Sequence, residues 1–187
     1  MMEPAPMGNQ INGFDLDVLK GLLDAVAKDP EMGRCKFRAR NKWVNAGQNR
    51  TSVSGFYGAK EEIPHKQTFE LLADEPAILA GSDGAASPVE HLLHALASCV
   101  TTSLVAHAAV RGIHIQELES ELEGDMDLSG FLGINENVPK GYTAIRMKLR
   151  VKSDEENLER LKELAAFSPV YNTLLNGAQV DLTIEPL

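Results

Sequence analysis

Two stretches of strict alternation constrain this chain most. Between Ile115 and Gly124, the residues Glu117, Glu119, Glu121 and Glu123 fall on one side. Between Tyr142 and Lys152, Arg146, Lys148, Arg150 and Lys152 fall on one side, and Ile145, Met147, Leu149 and Val151 on the other. A two-residue period is the mark of a β-strand. Four carboxylates and four cations at that period predict two adjacent antiparallel strands. Their charges pair across a wet face, and their aliphatic residues turn to a core.

That apolar face needs a cover, and the chain supplies one. Ser87-Pro-Val-Glu90 has the form of a helix start: a serine cap, proline at the first helical position and glutamate closing a capping box. The helix is expected to run to about Arg111 and stop at Gly112. Its Ala, Leu and Val residues, mixed with small Ser and Thr, suit a helix covered on most sides. Leu92 to Val110 also carries His94, Ser98, Thr101, Thr102, Ser103 and His107, which reads as too polar for a membrane span.

The remaining elements follow from period and punctuation. Residues 1 to 12 read as a loose tail. Asp15 to Lys28 has helical spacing at Val18, Leu19, Leu22, Leu23 and Val26, ended by Asp29-Pro30. From Arg34 to Trp43, Arg34, Lys36, Arg38, Arg40 and Lys42 alternate with Cys35, Phe37, Ala39 and Trp43; this predicts a half-buried strand with a cationic outer face. A turn at Asn45 to Asn49 leads to a strand at Arg50 to Phe56, and Gln67 to Ala73 forms a third. Asp154 is expected to cap a helix with Leu158, Leu161 and Leu164 inward. Ser168-Pro-Val starts a short helix that ends at Asn176-Gly177, and Val180 to Ile184 reads as a final strand. The order α-β-β-β-α-β-β-α-α-β places the chain in the α+β class with a mainly antiparallel sheet.

Composition narrows function. With 187 residues, 43% hydrophobic and 24% charged, the chain suits one globular domain over residues 1–187. A net charge of −9 argues against general binding of nucleic-acid phosphates or anionic membranes. Cys35 and Cys99 are too few for a disulfide framework or a structural zinc site, and they fit a reducing, cytoplasmic setting. The first residues lack the basic and apolar regions of a signal peptide. No P-loop, dinucleotide fingerprint or serine elbow is present, so no cofactor is expected. His91 and His94 are three apart without an H-E-x-x-H arrangement, so no metal is expected.

Cys99 is the candidate nucleophile. Set in the middle of a small-residue helix, it reads on spacing alone as a packed apolar side chain. A reactive thiolate there requires a cation delivered by tertiary structure. Arg50, just after the Gly-Gln-Asn turn, is the best placed candidate. Cys35, alternating with Phe37, reads as core packing.

Ser87-Pro-Val-Glu-His-Leu-Leu-His-Ala-Leu-Ala-Ser-Cys99 resembles the signature helix of the OsmC/Ohr family of thiol peroxidases. Asn45-Ala-Gly-Gln-Asn-Arg50 looks like the family's turn with its arginine, and Glu119-Ser-Glu-Leu-Glu-Gly-Asp-Met-Asp127 like the strand that follows. The similarity covers most of the chain from about Arg34, with residues 1–33 as an N-terminal extension. The resemblance implies an OsmC-like fold, antiparallel sheets packed on central helices in an intertwined homodimer. It implies reduction of organic hydroperoxides by a peroxidatic cysteine, matched by Cys99, with an activating arginine and glutamate, whose nearest matches are Arg50 and Glu90. Two positions depart from the pattern. Ser168 stands where the family has a resolving cysteine, so an external thiol must complete the cycle. Val89 stands where the hydroperoxide-resistance branch has its glutamate, with Glu90 one residue later. The alternative is a non-catalytic, stress-related protein that binds a small ligand.

Overall fold

The computed structural model describes residues 9–187. They fall into two compact units. The first comprises Asn9 and Asp15–Leu92, and the second Gln10–Phe14 with Leu93–Leu187. Residues 1–8 of the expected tail lie outside the described residues. The rest of that tail is ordered by pairing: β1 (Gln10–Ile11) meets β2 (Phe14–Asp15). Asn12, at φ 53° between them, donates from its amide to Ile113 O at 3.0 Å and accepts the Ile115 N–H at 2.8 Å.

The first unit opens with α1 (Leu16–Lys28). Asp15 caps it, its carboxylate accepting the Asp17 and Val18 N–H groups at 2.9 and 3.2 Å. The expected stop holds, because Asp29 turns the chain into a single 3-10 turn at Pro30–Gly33. Of the apolar stripe, Val18, Leu22 and Leu23 are more than half exposed.

A four-stranded antiparallel sheet follows: β3 (Lys36–Phe37), β4 (Arg40–Asn45), β5 (Gln48–Gly58) and β6 (Glu61–Ala73). β5 is central, with β3 and β4 in succession along one side and β6 along the other. The expected single strand from Arg34 is thus two strands, broken at Arg38 and Ala39. Nor is it half-buried: every residue of β3 and β4 is exposed, and so is Cys35, which corrects its assignment to core packing.

β6 starts six residues before the expected position. Pro64 hides it in the sequence, since proline cannot donate to a ladder. The structure places Pro64 opposite Gly55, beside a register shift that starts after Val53. A Cβ on Gly55 would come within 2.6 Å of Ile63 O, so only glycine fits there. Ala59 and Lys60, both at positive φ (49° and 66°), make the tight β5–β6 turn.

Helix α2 (Pro88–Val110) begins as the capping box requires. Ser87 donates its N–H and hydroxyl to the Glu90 carboxylate at 2.7 and 2.8 Å, and Ser87 Oγ accepts the Glu90 N–H at 3.4 Å. It ends at Gly112, at φ 73°, where Ile113 N–H reaches back to Ala108 O. By length and composition α2 is apolar enough to cross a membrane, more so than the sequence reading allows. In the second unit it forms the core: Leu96, Val100, Leu104 and Ala108, one turn apart, are all buried.

The rest of the second unit surrounds that stripe. β7 (Ile115–Asp125) and β8 (Ala144–Ser153) pair antiparallel with Glu117 opposite Lys152, Glu119 opposite Arg150, Glu121 opposite Lys148 and Glu123 opposite Arg146. This is the adjacent antiparallel pairing of the two charged faces that the alternations imply. Leu118, Leu122, Ile145, Met147, Leu149 and Val151 pack on the core from the other face. Between the strands stands the one-turn α3 (Leu128–Phe131).

α4 (Leu158–Ala165) adds Leu161, Leu164 and Ala165 to the core. Asn157, not Asp154, caps it; Asp154 instead accepts the His114 N–H at 2.8 Å. Leu158, expected inward, is 68% exposed. α5 (Pro169–Asn176) starts at Ser168 and ends at Gly177 as expected. The final strand is absent. Residues 177–187 are exposed and carry no ladder, because a strand exists only where an edge offers partners. The class remains mixed α+β with antiparallel sheets and five α-helices.

Candidate functional site

Cys99 sits in α2 three residues after buried Leu96 and one before buried Val100. That puts it at the edge of the core stripe, where it is half-buried with a free thiol. Thr102 and Ser103 follow one turn along, and Ser98 turns its hydroxyl back to Ala95 O at 3.2 Å. Side chains this small leave the helix surface around the sulfur low.

Arg50 lies in β5, between Lys42 on one neighbouring strand and Leu72 on the other. Its guanidinium is half-exposed, and its ion partner is Glu70 at 3.8 Å, too long for a hydrogen bond. Glu90 is occupied by its cap. The Ser87 N–H and hydroxyl hold its carboxyl below the usual glutamate range. Within the first unit, Arg50 and Glu90 therefore engage different partners, and Cys99 belongs to the second unit.

Ser168, at the family's resolving-cysteine position, is fully buried. Its hydroxyl accepts the Tyr171 N–H at 3.2 Å, and its carbonyl accepts the Asn172 backbone and side-chain N–H groups at 3.1 and 2.8 Å. The hydroxyl at this position is a helix cap.

Three features escape the sequence reading. Phe167, just before Ser168, stacks on His107 at 4.2 Å, with Arg111 6.0 Å from its ring centre. Burial, and then Arg111, push the His107 imidazole below its ordinary range. Asp74, buried after β6, accepts the Glu75, Ser82 and Gly84 N–H groups at 2.8, 3.2 and 3.0 Å, as well as the Ser82 hydroxyl. These bonds, chiefly from Ser82 and Gly84, lower its carboxyl from 3.8 to about 2. The third is the direct opposition of Lys42 and Arg50. His107, Phe167, Asp74 and its loop show no period that marks them, since their partners are brought in by folding. Among the described residues no group of three or more His, Cys, Asp and Glu side chains is placed to hold a metal ion.

A family model for OsmC-like proteins matches residues 81–183, from the loop before α2 into the C-terminal segment. The chain belongs to the OsmC-like family. Solved structures agree at the level of fold. An OsmC-like protein from Mycoplasma pneumoniae is 19% identical, with a TM-score of 0.56 over 76% of this chain and 89% of its own. A Psychrobacter arcticus 273-4 protein, named for osmotic stress induction and a detoxification response, is also 19% identical, with a TM-score of 0.53 over 72% and 85%. No curated protein matches the chain. In this OsmC-like protein, Cys99, Glu90 and Ser168 lie inside the matched region, and Arg50 lies before it.

Proposed function

We propose that this OsmC-like protein serves in oxidative stress defence in the cytoplasm, as a homodimer that reduces organic hydroperoxides with the single peroxidatic cysteine Cys99. The observation that carries the reading is the half-buried free thiol of Cys99 in the family's signature helix, ringed by small side chains. The Cys99 thiolate attacks the terminal peroxide oxygen. The O–O bond breaks, an S–O bond forms, and the alkoxide leaves with a proton as an alcohol. Arg50, whose guanidinium is not hydrogen-bonded to Glu70, stabilises the thiolate and the leaving oxygen. One external thiol then displaces water from the sulfenic acid as a mixed disulfide. A second thiol releases Cys99 and leaves with the first as a disulfide.

Exposed apolar residues support the dimer. Trp43, Phe69 and Leu71 lie on one face of the first unit's sheet and are 68, 45 and 50% exposed. Val180, Leu182 and Ile184 are more exposed still and alternate with Asp181, Thr183 and Glu185. Apolar surface on this scale calls for a partner.

The buried cap at Ser168 favours one other reading, a non-catalytic protein that binds a small ligand and keeps Cys99 as packing. Stopped-flow oxidation by cumene hydroperoxide, followed by mass spectrometry, separates the two. Wild type should react at least about a hundredfold faster than a free thiol at neutral pH and accumulate sulfenic, then sulfinic acid. Cys99→Ser should be inert, and Arg50→Ala slower while still folded. A wild-type rate no greater than that of a free thiol would establish the binding reading instead.

A further inference from the structure

Charge in this chain is unevenly spread. Residues 34–60 hold seven of the 18 lysines and arginines and none of the 27 carboxylates. Four of the seven find carboxylates from outside the stretch: Arg34 with Glu31, Arg38 with Glu62, Arg50 with Glu70 and Lys60 with Asp29. Lys36, Arg40 and Lys42 have no ion partner among the described residues.

The strand register gathers two of these unpartnered cations, Arg40 and Lys42, with Arg50. Lys42 and Arg50 are direct partners across β4 and β5, and Arg40 is opposite Ser52 two residues along the same face. Residues opposite each other in an antiparallel pair lie on one side of the sheet, so Arg40, Lys42 and Arg50 form a cationic triangle. Like charges set directly opposite destabilise a sheet. Elsewhere this chain avoids that arrangement: β7 and β8 set every glutamate of their ladder against a cation. Arg38, Arg146 and Arg150 are hydrogen-bonded to carboxylates at 2.5 to 3.0 Å, whereas Arg50 reaches Glu70 only at 3.8 Å. Neither the guanidinium of Arg50 nor the ammonium of Lys42 is hydrogen-bonded to a carboxylate among the described residues, and the Ser52 hydroxyl on the same face donates to Arg40 O at 3.4 Å.

We infer that the Lys42–Arg50 cross-strand pair, flanked by Arg40, is a binding site for a small ligand bearing an oxyanion, a phosphate or a carboxylate. An oxyanion between the two cations turns their repulsion into two charge-assisted hydrogen-bonded contacts. The planar fork of Arg50 supplies the geometry, and Lys42 a mobile point charge. The inference shares Arg50 with the peroxidase reading, but its test is separate from that reading: its probes are not oxidants, and the residue varied is Lys42.

The test is titration of the full-length protein with inorganic phosphate and, separately, with propionate. Ionic strength is held constant with sodium chloride, and binding is read by calorimetry and by amide shifts in β4 and β5. Saturable binding of phosphate, propionate or both is expected, and the stronger arm identifies the oxyanion. Lys42→Gln should weaken it at least about tenfold. Lys42→Arg should retain it, and Lys36→Gln, which removes a cation opposite Tyr57 at the other end of β5, should match wild type. Two results would overturn the inference. One is the absence of saturable binding with both probes. The other is equal loss in Lys36→Gln and Lys42→Gln, which would reduce the effect to general charge attraction.

Discussion

Asp74 shows how much one carboxylate organises. Its two oxygens collect three backbone N–H groups and a hydroxyl from the loop around the 3-10 turn Ala77–Leu79, and Gln48 donates to the same Ser82 hydroxyl at 2.7 Å. The folded carboxyl titrates near 2, below its ordinary 3.8. A depressed carboxyl stabilises the fold fully above the unfolded value and loses that contribution as pH falls through the folded one. Asp74→Asn is therefore expected to melt below wild type at pH 7. The gap should close between about pH 4 and pH 2, as followed by circular dichroism across that range. Residue-scale legibility is mixed. Ser87 and Glu90 announce their capping box because both partners lie within four residues. Asp74 is silent, because its partners are assembled by a loop eight to ten residues away.

The α2 stripe carries the second unit at the scale of elements. Leu104 is 1% exposed, in the middle of the row from Leu96 to Ala108 that meets Leu161 and Leu164 of α4. Leu104→Ala should lower stability by about 2–5 kcal/mol, from lost burial plus a cavity, as measured by urea unfolding. Cys99 borders the same stripe, so the helix that holds the core also sets the thiol's depth. The β7–β8 pairing and its charged face are legible, because charge and apolar period agree on both strands; its register comes from the structure. The first sheet is less so. Alternation at Arg34 to Trp43 reads as burial, yet those residues are exposed; period two marks a strand but does not say which face is covered.

For the whole molecule, the C-terminal segment combines apolar exposure with a strand's period. Val180, Leu182 and Ile184 have strand periodicity and are 84, 85 and 89% exposed. If they complete a sheet in a second copy of the chain, wild type sediments as a dimer at micromolar concentration. Deleting residues 178–187 should then shift the equilibrium toward monomer at least about tenfold, as measured by sedimentation velocity across a dilution series. A dimer unchanged by the deletion would move the interface to the Trp43 face.

The sequence alone determined what depends on near neighbours and on period. Helix ends at Asp15, Ser87, Gly112 and Ser168, the charge-matched β7–β8 pair and the family signature around Cys99 all lie in short stretches, where backbone geometry forces nearby side chains together. Only the tertiary structure decided what depends on distant segments. It gave Ser168 complete burial, left Cys35 and Trp43 in solvent, threaded Pro64 past Gly55 and set Lys42 against Arg50. Burial and strand neighbours are properties of chain segments far apart in sequence, and no local period records them.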